Sequence, residues 1–271
     1  MVIGDKIFDD KKTYVMGILN VTPDSFSDGG KYTDISAAMY KVEEMIEEGA
    51  DVIDVGGEST RPGYTKISEE EEIARISGVI TAIKCNFDIC LSVDTYKSAV
   101  AEFALESGAD MINDIWGLKY DDNMANVIKR YNSSCCIMHN RNNSCYNSFF
   151  KEFVCDIKDS IKIAQNAGMG KDRVIIDPGV GFAKSYEQNL EVIDKLDVLG
   201  ELGYPVLLGT SRKSVIGNAL NLPENDRLEG TLATTAIAAM KGCHFVRVHD
   251  VKENVRVIKM IERIKNGYNK N

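Results

Sequence analysis

One unit of sequence recurs eight times along this 271-residue chain and limits the folds open to it. Each unit starts with a short apolar run rich in Val, Ile and Met, followed by a Gly, Asp or Asn and then a helical pattern. The eight runs are Val15–Val21, Asp51–Gly57, Ile89–Thr95, Met111–Ile115, Ser134–His139, Val174–Pro178, Val206–Ser211 and Phe245–Asp250. Apolar strands that alternate with amphipathic helices are typical of a parallel sheet covered by helices.

Eight such units can close into a barrel or lie side by side in an open, doubly wound sheet. A count of eight within one domain-sized chain favours closure. No G-x-G-x-x-G follows the first run, so the main argument for the open sheet is missing. We therefore predict an α/β protein with a single-domain (β/α)8 TIM barrel over residues 1–271.

Charge and cysteine content exclude several classes of protein. The chain has 32 Lys and Arg against 41 Asp and Glu, and its net charge of −9 argues against a general role on nucleic acid or an anionic membrane. Seven cysteines without a C-x-x-C or a His cluster indicate neither a disulfide framework nor a zinc site. The first residues resemble no signal peptide, and no stretch is long enough to span a membrane. We expect a cytoplasmic protein.

The second predicted helix has a recognisable start. It begins at Ser68, and Glu71 is placed to complete a capping box. We interpret the acidic run Glu69–Glu72 as a solvated first turn favoured by the helix dipole, with no functional role.

Nearly every apolar run ends in polar residues, and in barrels of this kind the active site lies at the C-terminal ends of the strands. Any one of these residues could cap a helix or pair with a neighbouring charge. Their convergence instead predicts an active site. The strand-end residues are Asn20, Glu58, Thr60, Arg61, Asp94, Asn113, Asp114, His139, Asn140, Asp177, Ser211, Arg212, Lys213, Arg247, His249 and Asp250.

Charged residues at buried strand ends suggest what the ligand carries. Asp94 and Asp177 each follow a strand that should be buried, so we expect at least one to face a ligand with several N–H donors. Arg247 and His249 share the inner side of the last strand by alternation. A buried Arg beside a His predicts an anionic group on the ligand, because an unpaired buried charge is costly.

Two loops could cover this mouth. Residues 22–30 (TPDSFSDGG) have the composition of a lid, and residues 58–63 (ESTRPG) present a guanidinium suited to phosphate. Alternatively, Arg61 pairs with Glu58 at the surface. We expect His139 to have a structural or supporting role, and Cys90, Cys135 and Cys136 to be small core residues.

Seven ordered strings cover almost the whole chain and resemble the dihydropteroate synthase family. They are MGILNVTPDSFSDGG, GGESTRPG, SVDTYK, IND, DPGVGFAK, GTSRKSVIG and RVHDV. The family condenses 6-hydroxymethyl-7,8-dihydropterin pyrophosphate with p-aminobenzoate to give 7,8-dihydropteroate and pyrophosphate. It acts in folate biosynthesis and is the target of sulfonamides.

The resemblance implies three adjoining subsites and a catalytic set. Pterin would be bound by Asp94, Asn113, Asp177 and Lys213. Pyrophosphate would be bound by Asn20, Arg247 and His249, with Mg²⁺ as cofactor held by Asn20. The p-aminobenzoate residues would be Thr60, Arg61, Pro62, Phe182 and Ser214. The catalytic residues would be Asp28, Lys213, Arg247 and His249. A homodimer through the helical shell is also implied.

The reaction needs no activated nucleophile. We hypothesise that pyrophosphate leaves first with electron push from the pterin ring, and that the arylamine captures the resulting cation. The nearest alternative is a methyltetrahydrofolate corrinoid methyltransferase, whose pterin-binding barrel is similar but needs no pyrophosphate cradle. A non-catalytic pterin- or phosphate-binding barrel is a further alternative. The cationic set Arg61, Lys213 and Arg247 favours the synthase over both.

Overall fold

The computed structural model describes residues 1–21, 30–59 and 65–267. Within these ranges, a short antiparallel hairpin precedes a parallel sheet of eight strands. The hairpin strands are β1 (Val2–Ile3) and β2 (Lys6–Ile7). The sheet strands are β3 (Tyr14–Asn20), β4 (Val52–Gly56), β5 (Cys90–Asp94), β6 (Met111–Asp114), β7 (Ser134–Met138), β8 (Val174–Asp177), β9 (Leu207–Leu208) and β10 (Phe245–Val248).

Helices alternate with the sheet strands, as the sequence pattern predicts. They are α1 (Gly30–Glu48), α2 (Glu69–Asn86), α3 (Ser98–Glu106), α4 (Met124–Arg130), α5 (Phe149–Asn166), α6 (Tyr186–Asp194), α7 (Leu196–Gly200), α8 (Ser214–Leu220), α9 (Leu228–Met240) and α10 (Val251–Gly267). Two 3-10 turns lie at Lys171–Arg173 and Glu224–Asp226. In the described part of the chain, no helix has the length and apolarity of a membrane span.

The strands close into a barrel. Their order is β8-β7-β6-β5-β4-β3-β10-β9, with parallel pairing throughout. Ile176 of β8 forms a parallel bridge with Val206, which directly precedes β9, and the Ile176 N–H donates to Pro205 O at 2.9 Å. The prediction of a (β/α)8 barrel is confirmed, and all eight predicted runs overlap a sheet strand. Strand β3 is as long as its run and starts one residue earlier, and the other seven strands are shorter because the last residues of each run leave the hydrogen-bonded ladder.

Side chains point alternately inward and outward along each strand. The outward ones pack with the helices in the largest apolar cluster. The inward ones near the strand starts form a second cluster, which we call the lower layer. Its members are Met16, Val52, Cys90, Met111, Cys136, Ile175, Leu207 and Phe245. Ile3 and Phe8 of the N-terminal hairpin segment pack against this layer and close the barrel bottom, a role that the sequence did not indicate.

Two residues further along several strands, or four on β5, the inward positions become polar. We call these residues the upper layer. They are Asp54, Asp94, Asn113, Asp177 and Arg247, of which the first four are buried. Parallel pairing brings these positions together, since Gly56 is in register with Asp94 and Asp94 with Asn113.

Two predictions about the start of α2 are wrong in part. The Ser68 side chain accepts the Glu71 N–H at 3.2 Å, which is the first half of a capping box. The Glu71 carboxylate pairs with Arg75 one turn later, so the second half is not formed. The acidic run is not wholly solvated either, because Glu72 is only 1% exposed and forms an ion pair with Lys97.

The cysteines behave as the sequence suggests. Cys90, Cys135 and Cys136 are buried, and all seven cysteines are free thiols. Burial raises the pKa of Cys90 to about 12, so this thiol stays protonated and packs as a small apolar residue.

Candidate active site

The C-terminal end of β4 provides space at the barrel mouth. Gly56 lies in register between Asn20 of β3 and Asp94 of β5. A Cβ at Gly56 would lie 3.7 Å from Asn20 Oδ1 and 3.8 Å from Asp94 Cβ. Glycine therefore leaves Asn20 and Asp94 facing each other with no side chain between them.

Arg247 forms the centre of the upper layer. Its Nε donates to Asp54 Oδ2 at 2.6 Å and its Nη2 to Asp94 Oδ2 at 2.7 Å. Burial alone would lower the Arg247 pKa, but Asp54 and Asp94 raise it on balance. Arg247 therefore does not need an anionic ligand to compensate its charge, contrary to the reason for which we predicted one, and the prediction of an anionic ligand itself stays a prediction.

Asp54 was not among the residues singled out from the sequence, because it lies inside an apolar run rather than at its end. It is fully buried, and its Oδ2 also accepts from Asn113 Nδ2 at 3.2 Å. Alternation along β4 could have revealed it, since Asp54 shares a face with Gly56. Its role here is to orient both Arg247 and Asn113.

Asp94 has one oxygen to spare. Its Oδ2 accepts from Arg247, whereas its Oδ1 is buried and has no hydrogen-bond partner among residues 1–21, 30–59 and 65–267. Burial raises the pKa of Asp94 to about 7 despite the opposing effect of Arg247. A buried acceptor at the strand end without a donor is a position that a ligand N–H can occupy.

Asp177 and Lys213 form the opposite side of the mouth. The Asp177 Oδ1 accepts the Gly179 N–H at 2.7 Å. A Cβ at Gly209 would lie 3.6 Å from Asp177 Oδ2 and 3.8 Å from Lys213 Nζ, so this glycine keeps the space between them open. Burial raises the pKa of Asp177 and lowers that of Lys213 to about 8.

Lys213 is also tied to the loop after β8. Its Nζ donates to Val180 O at 2.7 Å and lies 4.9 Å from the centre of the Phe182 ring. The predicted pterin residue Lys213 and the predicted amine residue Phe182 are therefore in direct contact. Ser214, the next predicted amine residue, is exposed and opens α8.

The backbone at Arg212 directs Lys213 into the barrel. Arg212 has a φ of 58°, a left-handed conformation that is uncommon for a residue with a side chain. Three contacts hold it: its N–H donates to Thr231 Oγ1 at 3.2 Å, its carbonyl accepts from Arg227 Nη1 at 2.8 Å, and its Nε donates to Asp250 Oδ2 at 3.1 Å. The surrounding structure thus stabilises a strained residue beside the site.

His249 is oriented by Ser211. The Ser211 hydroxyl accepts the His249 N–H at 3.2 Å and lies 3.0 Å from Nδ1 of the same residue. A hydroxyl can donate one hydrogen bond and accept two, so Ser211 can hold the His249 ring in either tautomer. His249 and Arg247 lie on the same side of β10, as alternation predicts.

Comparison with known proteins agrees with this geometry. A family model described as pterin binding enzyme matches residues 16–249. The chain is 59% identical over 266 residues to the dihydropteroate synthase of Clostridium beijerinckii, covering 97% of this chain and 99% of that relative. The chain belongs to the dihydropteroate synthase family of pterin-binding enzymes.

Solved structures of the family have the same fold. Dihydropteroate synthase of Clostridium difficile, crystallised in the presence of pteroic acid, has a TM-score of 0.93 at 49% identity, covering 95% of this chain and 99% of that one. The Xanthomonas albilineans dihydropteroate synthase with 4-aminobenzoic acid has a TM-score of 0.90 at 38% identity, covering 94% of each chain.

Four predicted residues lie outside the described ranges: Asp28 in the first loop, and Thr60, Arg61 and Pro62 in the second. One alternative in the sequence analysis pairs Arg61 with Glu58 at the surface, but Glu58 is buried and has other partners. Glu58 accepts from Lys97 Nζ at 2.6 Å and from the Tyr96 hydroxyl at 2.6 Å. Lys97 is buried and also pairs with Glu72, so it compensates two buried carboxylates that sequence analysis did not associate.

His139 does not belong to the mouth. Its side chain is fully buried, with Nε2 3.0 Å from Asp156 Oδ2 and Nδ1 2.8 Å from Lys184 Nζ. Burial lowers the pKa of His139 to about 3, so the ring is neutral. These contacts agree with the structural or supporting role predicted for it.

The stretch after His139, which matched none of the family strings, connects to the same network. Arg141 Nε pairs with Asp156, and its guanidinium lies 4.3 Å from the centre of the Tyr146 ring. The Tyr146 hydroxyl donates to Ala183 O at 2.8 Å, so this stretch contacts the loop after β8.

Proposed function

We propose that this protein condenses 6-hydroxymethyl-7,8-dihydropterin pyrophosphate with p-aminobenzoate to form 7,8-dihydropteroate and pyrophosphate in folate biosynthesis. One observation carries the proposal beyond family membership. The buried Asp94 Oδ1 has no partner among the described residues, in a layer that also holds Asn113 and Asp177, with Lys213 beside Asp177. This pattern of acceptors and donors suits a flat heterocycle with several N–H groups and a carbonyl.

In the pterin subsite we assign the acceptor roles to the two carboxylates. Asp177 offers Oδ2 beside the space left by Gly209, and Asp94 offers Oδ1. A carboxylate can accept from a ring N–H and an adjacent amino group, much as it does from a guanidinium. Asn113 supplies a donor and an acceptor, and Lys213 donates to a ring oxygen or nitrogen.

For pyrophosphate we assign Asn20 and His249, with Arg247 as a cation whose position is set by Asp54 and Asp94. The described residues contain no cluster of three His, Cys, Asp or Glu that could hold a metal ion by themselves. This fits Mg²⁺ that arrives with the substrate, because Mg²⁺ keeps several waters and binds through few protein oxygens plus phosphate. Asn20 would supply such an oxygen. When bound, the ion would neutralise charge on the leaving pyrophosphate.

For p-aminobenzoate we assign Phe182 and Ser214, together with Thr60, Arg61 and Pro62 of the second loop and with Asp28 completing the catalytic set. The Phe182 ring offers an apolar face, and Ser214 offers a hydroxyl at the start of α8. The amine nitrogen forms a bond to the exocyclic methylene carbon, the bond from that carbon to the pyrophosphate oxygen breaks, and the amine loses a proton. The chain contributes orientation and charge stabilisation to this reaction.

The test combines purified protein with Mg²⁺, the pterin pyrophosphate and p-aminobenzoate, and measures release of pyrophosphate and formation of dihydropteroate. We expect release that depends on the amine. Lys213→Met should abolish it, whereas Lys158→Met on the exposed side of α5 should not. A wild-type protein without amine-dependent product would disprove the proposal. Methyl transfer from methyltetrahydrofolate to a corrinoid would indicate the alternative enzyme.

We also propose that the protein is a homodimer and that its contact is formed by α8, α9 and α10. These helices carry five exposed large apolar side chains: Leu220, Ile237, Met240, Met260 and Ile264. The pairs on α9 and α10 are spaced three and four residues apart, which places each pair on one helix face. Exposed apolar patches of this kind are typical of protein contacts.

Light scattering of the eluted protein tests the dimer. The variant Met240→Glu/Met260→Glu should elute as a folded monomer, because it places carboxylates within the contact. A wild-type monomer at micromolar concentration would reject the proposal. We also infer a cytoplasmic location, since seven free thiols fit a reducing compartment.

A further inference from the structure

Lys184 lies in the loop between β8 and α6, and its ammonium group has a full set of partners. Its Nζ donates to Gly179 O at 2.9 Å, to Phe182 O at 3.0 Å and to His139 Nδ1 at 2.8 Å. A lysine ammonium has three N–H donors, and three acceptors surround it here. Burial lowers the pKa of Lys184 to about 7. A half-buried lysine whose three donors are all used holds its acceptors at defined positions.

The loop that Lys184 holds supplies three contacts to the candidate site. The Gly179 N–H donates to Asp177 Oδ1, the Val180 carbonyl accepts from Lys213, and the Phe182 ring lies beside the same ammonium group. Lys184 binds the carbonyls of Gly179 and Phe182, the first and last of these residues. A shift of this segment would move a pterin residue and an amine residue together.

His139 gives the clamp a rigid support. A Cβ at Gly179 would lie 2.0 Å from His139 O, and Gly179 has a φ of +65°, so the loop backbone packs directly on the backbone at His139. The His139 N–H also donates to Asp177 O at 2.9 Å. Lys184 and Asp177 are thus both tied to the residue that follows β7.

The contacts define the tautomer of His139. While Lys184 is protonated, Nδ1 of His139 must accept, because an ammonium group can only donate. Nε2 then carries the proton and donates to Asp156 Oδ2, which Arg141 also holds. A continuous chain of contacts therefore runs from the loop through Lys184, His139 and Asp156 to Arg141.

We propose that Lys184 is a positioning residue of the active site: by clamping residues 179–182 against His139, it sets Asp177 and Lys213 for the pterin and Phe182 for the aromatic amine. The proposal rests on the proposed function. Lys184 does not touch the substrates and takes no part in bond making. Its loss therefore raises the KM of both substrates more than it lowers kcat.

Steady-state kinetics of three variants test this role. Lys184→Met removes the donors and keeps the chain length, Lys184→Arg retains a cation, and Lys158→Met is the exposed control. For Lys184→Met we expect the KM of both substrates to rise about tenfold, with a smaller change in kcat. Lys184→Arg should recover part of the loss, and Lys158→Met should match the wild type. KM values for Lys184→Met within about twofold of the wild type would overturn the proposal.

A spectroscopic measurement on the wild type tests the hydrogen bond from Lys184 to His139, and it can be made even if Lys184→Met fails to fold. The chain has three histidines, so their ring ¹⁵N signals can be assigned by substitution. At pH 6, which is below the pKa of Lys184 and above that of His139, we expect His139 to be neutral, with Nδ1 unprotonated and Nε2 protonated. A protonated Nδ1 would show that Lys184 does not donate to it, and the clamp would be rejected. This measurement needs no substrate, so it remains decisive if the wild type releases no pyrophosphate and the proposed function fails.

Discussion

The lower and upper layers of the barrel interior are built on the same strands but have opposite chemistry. The lower layer, with Met111 and Phe245, is apolar and fully buried. The upper layer holds Arg247 between Asp54 and Asp94, and each of these carboxylates has a buried oxygen that no described residue contacts by a hydrogen bond. A step of two or four residues along a strand separates the apolar packing that stabilises the fold from polar groups at the barrel mouth.

The largest expected effect on stability comes from replacing Arg247, the cation at the centre of the upper layer. Arg247→Met leaves Asp54 and Asp94 buried without a counter-charge, so we expect a loss of about 3–5 kcal/mol in the free energy of unfolding. The loss should be smaller at pH 5 than at pH 8, because protonation of the carboxylates relieves it. Urea denaturation at both pH values measures this. Arg256→Met on the exposed side of α10 is the control, and equal losses in the two variants would contradict the contrast.

A substitution in the lower layer should separate stability from activity. Met111 is fully buried, and Met111→Ala should cost about 2–5 kcal/mol of unfolding free energy through the cavity it leaves. The KM values of the folded enzyme at 25 °C should stay within about twofold of the wild type. Met111→Leu, which conserves volume, should cost less than about 1.5 kcal/mol. A large rise in KM for Met111→Ala would show that the two layers are not independent.

Asp177→Asn tests the upper layer without a change in size. The amide loses the charge of the acceptor and keeps the side-chain shape, so pterin binding should weaken by about 1–3 kcal/mol. Titration calorimetry with the pterin substrate measures the difference, and the exposed Asp172→Asn serves as control. Unchanged affinity would remove Asp177 from the pterin subsite.

The smallest expected effect is a pH-dependent change in the stability of Asp94→Asn relative to the wild type. The folded-state pKa of Asp94 is about 7, above its ordinary value of 3.8, mainly because of burial. The folded state therefore binds the Asp94 proton more tightly than the unfolded state does. This contribution to the free energy of unfolding is fully present below pH 3.8 and is lost as the pH rises through about 7. Asp94→Asn has no such loss, so its stability relative to the wild type should increase between pH 5 and pH 8. Thermal unfolding of both proteins at the two pH values measures this difference. A decrease in the relative stability of Asp94→Asn from pH 5 to pH 8 would contradict the prediction.

Sequence patterns predicted the site better than its internal pairing. Asp94, Asn113, Asp177, Lys213 and Arg247 were identified because each follows or lies in a strand and carries polar chemistry. Two carboxylates that pair with buried cations, Asp54 and Glu72, were not identified. Asp54 lies within an apolar run, and Glu72 lies in an acidic run that is usually solvated. Both are compensated by residues far away in the chain, which no local pattern can indicate.

The sequence by itself determined the eight βα units and the polar residues at the C-terminal ends of their strands, because periodicity and strand-end polarity are local properties. The count of eight units also favoured closure into a barrel. Its ordered strings also identified the family. Only the tertiary structure decided which charges compensate one another: Arg247 with Asp54 and Asp94, and Lys97 with Glu58 and Glu72. It also decided that Lys184 donates a hydrogen bond to the neutral ring of His139. The reason is that burial and distance, which set the energy of a charge, depend on segments brought together by folding.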